Sequence, residues 1–321
     1  MLIVNLFFQV PCGQNIPFLI MIETWNVLRI GREILGDKSL FNLKSRKLTF
    51  IARLGTFLFF VPLVLFLIFL EYENYLLINI LIFMFSGIAA KEVNDLLKVK
   101  SSSISSILSF FLGVSPPILT YLHYNIFDLG INIIFYLGIT LVFSNWIVNL
   151  VFIKENEIVN FLSQATSIIF ILVYPGFLMS FVVAITTLPR APILLLILFS
   201  MVSGNDTFAY LVGYFLGKNS YRPTIISPNK TIMGFLGGIL FSVIVAMVVV
   251  FLGLINLTYG EAMIFGILIG FFTIIGDLFE SGLKRSAGVK DSGNIIPGRG
   301  GALDSIDSYL LTGPIFYLYL S

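Results

Sequence analysis

ILIGFFTIIGDLFESGLKR, Ile267 to Arg285, decides how the rest of the chain must be read. Up to Gly276 it carries no charge and a single hydroxyl, and a helix needs about 20 largely apolar residues to cross the hydrocarbon of a bilayer. Acids enter only at its end, as Asp277 and Glu280, just before Lys284 and Arg285. Outward in both directions, runs near that length recur at 54–70, 75–90, 103–122, 127–152, 160–187, 192–215, 233–256, 262–282 and 302–320. Composition agrees. Of 321 residues, 58% are hydrophobic and 11% charged, and a mean hydropathy of +1.00 leaves too little polar surface to cover a water-soluble globule. The expected fold is an all-α polytopic integral membrane protein with about nine transmembrane helices.

Charge placement orients these spans, because cytoplasmic loops are enriched in Lys and Arg. With the spans above, every one of the 19 cations except Arg190 falls on one side of the membrane. They lie between Arg29 and Arg53, at Lys91, Lys98 and Lys100, at Lys154, at Lys218, Arg222 and Lys230, and at Lys284, Arg285, Lys290 and Arg299. The amino terminus is therefore read as cytoplasmic and the carboxyl terminus as outside. Three regions follow: an extension at 1–50, N-terminal transmembrane helices at 51–190, and a catalytic transmembrane region at 191–321 with cytoplasmic loops at 216–232 and 284–301. The extension is apolar enough to lie on a membrane, yet Pro11, Gly13 and Pro17 interrupt it and no cation precedes it as a signal peptide would require. It is read as interfacial or poorly ordered, with the basic stretch Lys38 to Arg53 against anionic headgroups.

Several function classes are excluded early. The net charge of +2 includes no concentrated basic domain, so nucleic acid is not an expected partner. Cys12 is the only cysteine and His123 the only histidine, which rules out an intrachain disulfide and a histidine-cluster metal site. Any bound metal must be held mainly by oxygen, as magnesium or calcium prefers.

The segment SGLKRSAGVKDSGNIIPGRGGALDSID, Ser281 to Asp307, concentrates cations, carboxylates and glycines between two apolar runs. Charge beside a bilayer is rarely kept without a topological or functional reason. Asp304 and Asp307 are three apart and share a helical face, as do Asp277, Glu280 and Lys284. Asp206, in SGNDTFAYLVGYFLGK, closes another apolar run toward the same side. Such carboxylates suit a hard divalent cation that bridges to substrate phosphates. Gly298, Gly300 and Gly301 around Arg299 would let backbone N–H groups approach an anion, with the start of the following helix adding positive partial charge. Together these point to metal-assisted handling of a polyphosphate at the cytoplasmic surface.

These residues resemble a known signature, that of the phosphatidate cytidylyltransferases, or CDP-diacylglycerol synthases. The positions Ser281, Lys284–Arg285, Lys290–Asp291, Gly293, Pro297, Gly300–Gly301, Asp304 and Asp307 match it. Upstream, NDTFAYLVGYFLGK (Asn205 to Lys218), SPNKT (Ser227 to Thr231) and RLGTFLFFVPLVL from Arg53 are similar to further family segments. The likeness covers roughly 50–321. It implies transfer of a cytidylyl group from CTP to phosphatidic acid within phospholipid biosynthesis, in a bacterial-type cytoplasmic membrane with the site facing the cytoplasm.

On that resemblance, Asp277, Asp304, Asp307 and Asp206 would hold one or two magnesium ions. Lys284, Arg285, Lys290, Asp291 and Arg299 would be the catalytic residues, the four cations among them contacting the nucleotide phosphates or the leaving pyrophosphate, while Lys230, Ser227, Ser281, Gly300 and Gly301 would bind substrate. Gly234, Gly237 and Gly238 would give room for acyl chains of membrane lipids, or else serve close helix packing. A homodimer is an admissible assembly. Three positions depart from the family: Arg299 replaces histidine, Ser305 replaces arginine, and Met233 stands where a glutamate is usual. The other readings are a CTP-dependent lipid kinase of the polyprenol type, or a divergent member with altered substrate or reduced activity. A transporter is disfavoured because the polar groups gather at one side and not at mid-membrane.

Overall fold

A computed structural model of the chain describes residues 55–56, 58–99, 104–127 and 161–321. The chain divides into two units, Met1–Gly55 and Thr56–Ser321, and the helices that follow belong to the second. The 1–50 extension, and all but the first residue of the span expected at 127–152, lie outside the described residues.

Lipid supplies no hydrogen bonds, so segments this apolar must satisfy their backbone internally, as helices do. A short helix α1 (Leu58–Phe69) precedes α2 (Leu76–Leu97), α3 (Ser106–Leu122), α4 (Phe161–Ile185), α5 (Ala191–Leu216), α6 (Ile232–Phe251) and α7 (Tyr259–Ser286). Among the described residues, the six helices α2 to α7 are long and apolar enough to cross a membrane. Among the described residues the regular elements are all helices, and the protein is a multi-pass one. The expected first span is only the short α1, and the expected last one is α8 (Leu303–Leu320), whose 18 residues carry Asp304 and Asp307 and fall outside that set of six.

Helix ends follow local chemistry. At the start of α7, Thr258 Oγ1 accepts from Glu261 N at 3.3 Å while the Glu261 carboxylate accepts from Thr258 N at 2.8 Å, a reciprocal cap. Thr231 caps α6 by accepting from Gly234 N at 3.1 Å. Helix α2 continues to Leu97, past the end expected at 90. Lys91 and Asp95 are exposed on it whereas Glu92, Val93 and Asn94 are buried, so the charges mark where the helix leaves lipid and not where it stops. In α4 a π-helical turn, Leu172–Phe177, surrounds Pro175. Ser86 Oγ lies 2.7 Å from Gly113 O and 2.8 Å from Pro175 O, and the turn carries Tyr174 into the interior.

In lipid, helices associate through close packing of small residues. A Cβ on Gly237 would stand 2.6 Å from Val212 Cβ, and one on Gly238 would stand 2.7 Å from Asn205 Oδ1. Of the two readings of these α6 glycines, close packing is the one realised. Gly276 performs the same service between α7 and α8, where an added Cβ would meet Asp307 O at 2.8 Å and Ser308 Cα at 2.9 Å. Helix α8 also packs against α4 and α2, which makes it the seam between α2–α4 and α5–α7.

Hydrogen bonds mark the two ends of this bundle. At one, Tyr121 donates to Glu73 O at 2.6 Å, Asn79 Nδ2 to Thr186 Oγ1 at 3.1 Å, and Tyr319 to Glu261 O at 3.0 Å. Arg190 belongs to this end through Leu254 O, 3.4 Å away, and so does buried His123 beside Tyr124. The opposite end holds the 217–231 and 287–302 loops and the carboxylates in the last third of α7, with Asp206 of α5 ten residues before that helix ends.

Candidate active site

Three helices and one loop bring the predicted residues together. Asp206 near the middle of α5, Lys230 just before α6, and Asp277 in the last third of α7 line one cavity of about 250 Å³, together with Asn205, Tyr210, Thr231 and Gly234. Lys230 Nζ is paired with Asp277 Oδ2. Ser281, one turn further along α7, donates to Asp277 Oδ1 at 3.4 Å, so both oxygens of this carboxylate are oriented. The close approach at Gly276 sets Asp307 of α8 beside them, and Asp307 feels the charges of both Asp277 and Asp206. Asn205 is fully buried and ties α5 to its neighbours, donating to Ser242 Oγ at 3.2 Å and to Gly270 O at 3.3 Å.

A second constellation lies under the loop. Lys284 makes ion pairs with Glu280 and with Asp304, the latter at 2.5 Å, and all three side chains are nearly buried. Asp304 Oδ2 accepts from Ser292 N at 2.9 Å, Ser292 Oγ at 2.9 Å and Gly301 N at 2.8 Å. Its carboxylate thus closes the loop back on the first turn of α8. Although Asp304 and Asp307 share a helix face, they serve different partners, because a rise of three residues moves the second one past the loop and onto Asp277.

The glycine run is engaged differently from the anion cradle expected of it. Gly300 N donates to Ile296 O at 3.0 Å, and Gly301 N to Asp304. The first N–H groups of α8, those of Ala302 and Leu303, donate to the carboxylate of Glu92 in α2 at 3.0 and 2.8 Å. A backbone carbonyl therefore occupies the Gly300 donor, and the protein's own acids occupy those of Gly301, Ala302 and Leu303. Gly298 and Gly300 adopt φ of +77° and +118°, values that favour glycine over any L side chain.

The remaining predicted residues lie around this frame. Arg285 Nη1 donates to Val289 O at 3.0 Å at the end of α7, while Lys290 and Asp291 are exposed on the loop. Arg299 is exposed, and its charge acts on Asp206 and on Tyr309. Ser305 Oγ turns back onto Gly301 O at 3.3 Å. Ser227 belongs to a turn, with its N–H 3.3 Å from Thr224 Oγ1 and its carbonyl accepting from Lys230 N at 3.1 Å. Met233 is 43% exposed, its N–H lies 3.3 Å from Ser220 Oγ, and it adjoins Gly234 of the cavity lining.

Glu92 and Tyr174 were not among the expected site residues. Glu92 is 5% exposed within a run of buried Ala89, Ala90 and Val93, and an acid on the apolar stripe of a helix was the available signal. Neighbouring Lys91 drew the reading toward a loop. Tyr174 is 3% exposed with an unpartnered hydroxyl and lies in electrostatic range of Asp307, Glu280 and Asp277, a position set by the π turn and invisible to periodicity.

Magnesium can be tested against these donors. Asp206, Asp277 and Asp307 offer hard oxygens and repel one another, a surplus of negative charge that Lys230 and Arg299 offset at Asp206 and Lys284 at Asp307. Among the described residues no three acids are drawn together into a closed metal cage. The set fits an ion that takes one or two carboxylates and completes its shell with water and substrate phosphates, which is how magnesium is usually held.

Comparison with known proteins places this geometry. The profile described as the cytidylyltransferase family matches residues 51–321, which includes every residue of both constellations. A protein of Staphylococcus haemolyticus named phosphatidate cytidylyltransferase is 45% identical over 122 residues, 38% of this chain and 46% of the relative. Its namesake in Staphylococcus saprophyticus is 43% identical over 126 residues, 39% of this chain and 48% of the relative. The match thus spans about half the length of these curated relatives.

Proposed function

The chain belongs to the cytidylyltransferase family, and from that premise we propose that it transfers a cytidylyl group from CTP to phosphatidic acid, giving CDP-diacylglycerol and pyrophosphate. The observation that carries the reading is the convergence of Asp206, Lys230 and Asp277 on one cavity, with Asp307 beside them. The names of the staphylococcal relatives support the choice of substrates over the portion they share.

In this reaction a phosphate oxygen of phosphatidate attacks the α-phosphorus of CTP. The bond from that phosphorus to the bridging oxygen breaks, and pyrophosphate leaves with the electron pair. The nucleophile is already ionised near neutral pH, so no base has to take a proton, which accords with His123 lying at the far end of the bundle. The difficulty is electrostatic, since two polyanions must meet. Lys230, paired with Asp277 at the cavity wall, can offer a second N–H to a phosphate oxygen. Arg299 acts electrostatically on Asp206 from the loop, and exposed Arg285 and Lys290 make the rim cationic. Lys284 and Asp304 keep the loop folded beneath them. Magnesium taking one or two of the Asp206, Asp277 and Asp307 carboxylates, with water and phosphate oxygens completing its shell, would neutralise charge that builds on the leaving pyrophosphate.

The test is purified protein given radiolabelled CTP with phosphatidate, with a polyprenol, or with no lipid. A labelled CDP-lipid and pyrophosphate, formed only with phosphatidate, are the expected products. A phosphorylated polyprenol in their place would establish the lipid kinase and overturn this reading.

The nine-span arrangement with this end facing the cytoplasm is part of the same proposal. A reporter inserted near Ser292 is expected to behave as cytoplasmic and one attached at Ser321 as extracytoplasmic. Both reporters on one side would show that α8 does not cross, which would sink the nine-span arrangement.

A further inference from the structure

We propose that Glu92 is a positioning residue for the nucleotide-handling loop, holding Ser292–Leu303 in its working shape from a helix some 200 residues away in sequence. The role in turnover rests on the function proposed above; the mechanical part does not. Helix α8 begins at Ala302, a residue with no side chain able to cap it. The first N–H groups of a helix have no partner of their own, and buried ones are costly to leave unpaired. Glu92 supplies what the local sequence lacks. Its Oε1 accepts from Ala302 N at 3.0 Å and its Oε2 from Leu303 N at 2.8 Å, and the Ser292 hydroxyl lies 2.9 Å from both Glu92 Oε2 and Asp304 Oδ2, so its one proton serves either carboxylate in turn. One carboxylate thus joins both ends of the loop.

The glycines beside it are explained by the same contact. A Cβ on Gly293 would stand 2.9 Å from Glu92 Cδ, and one on Gly301 would run into both Glu92 oxygens. The motif therefore needs small residues there to admit a carboxylate of the protein, which is a different requirement from admitting a phosphate. Asp304 grips the loop from the other side through Gly301 N and Ser292, and Thr56 Oγ1 donates to Pro297 O at 2.7 Å. Held this way, the rim that carries Lys290, Asp291 and Arg299 cannot drift from the cavity without breaking charge-assisted hydrogen bonds. These are the strong class of such bonds.

Glu92→Gln keeps the shape but turns an NH2 group toward an N–H donor, so one of the two α8 contacts becomes repulsive. In vesicles containing phosphatidate, the variant is expected to raise KM for CTP about tenfold or more while KM for phosphatidate and kcat stay within about threefold. Amide hydrogen exchange over 292–303 should quicken to a similar degree. Glu92→Asp should recover most of both effects. Gly293→Ala, which displaces the carboxylate from the opposite side, should reproduce them and add little to Glu92→Gln.

A fall in kcat or in folded yield with KM for CTP unmoved in Glu92→Gln and Gly293→Ala would overturn the proposal. So would unchanged exchange over 292–303. If the parent protein makes no CDP-lipid, the functional reading fails while exchange, which needs no turnover, still decides the clasp: faster exchange in Glu92→Gln upholds it and equal exchange removes it.

Discussion

Asp277→Asn should lower kcat and kcat/KM together, on the order of 10²–10³-fold, with the protein still folded. Asp277 is the one carboxylate that lines the cavity, pairs with Lys230, is oriented by Ser281 and acts electrostatically on Asp307 and Asp206. Asparagine keeps the volume, and its one carbonyl oxygen can still accept from Lys230 while its NH2 donates to the Ser281 hydroxyl oxygen, so packing is conserved. What disappears is a negative charge, and with it both the grip on a cation and the counter-charge that holds Lys230 at the cavity wall. An effect in kcat marks an interaction that strengthens as charge moves onto the leaving group. The measurement is initial rate against CTP at several magnesium concentrations, and the half-saturating magnesium concentration should rise in the variant. Turnover within threefold of the parent, with unaltered magnesium dependence, would remove Asp277 from the site.

Lys284→Met should act on stability first. The Lys284 side chain is 12% exposed and pairs with Glu280 and Asp304, whose side chains are 1% and 8% exposed. Removing one partner of a buried ion pair leaves an uncompensated charge and costs about 3–5 kcal/mol. Here two carboxylates lose their partner at once, and Asp304 is also the residue that closes the loop. Thermal unfolding of the detergent-solubilised protein should shift to clearly lower temperature, and Lys284→Met combined with Glu280→Gln should recover part of the loss because one stranded charge has been neutralised. The sequence pattern, in which Lys284 adjoins Arg285, points instead to a phosphate contact. A Lys284→Met variant that is as stable as the parent but inactive would restore that reading.

The motif residues were legible one by one, yet the division of labour among them was not. Lys284, Asp304, Gly300 and Gly301 carry the features expected of phosphate and metal contacts, and the fold spends their hydrogen bonds on the loop itself. Residue type and helical spacing cannot separate the two uses, since a carboxylate that holds a metal and one that caps a loop look alike in sequence. Asp304 and Asp307 illustrate this: a shared face on α8 is a local property, but their partners come from Lys284 and the loop in one case and from the neighbourhood of Asp277 in the other.

The sequence by itself determined that this is a multi-pass chain whose described elements are helices, where six of its spans run, and which family it joins. These are consequences of local rules. Lipid demands about 20 apolar residues with an internally bonded backbone, and the family motif is a contiguous string. Only the tertiary structure decided that Glu92 caps α8 and that Gly276 brings Asp277 against Asp307, with Tyr174 turned toward the same cluster. Each of these depends on the rotation and depth of one helix against another. In a bilayer that register is set by where small residues let backbones touch, summed over several helices at once, and no single segment contains it.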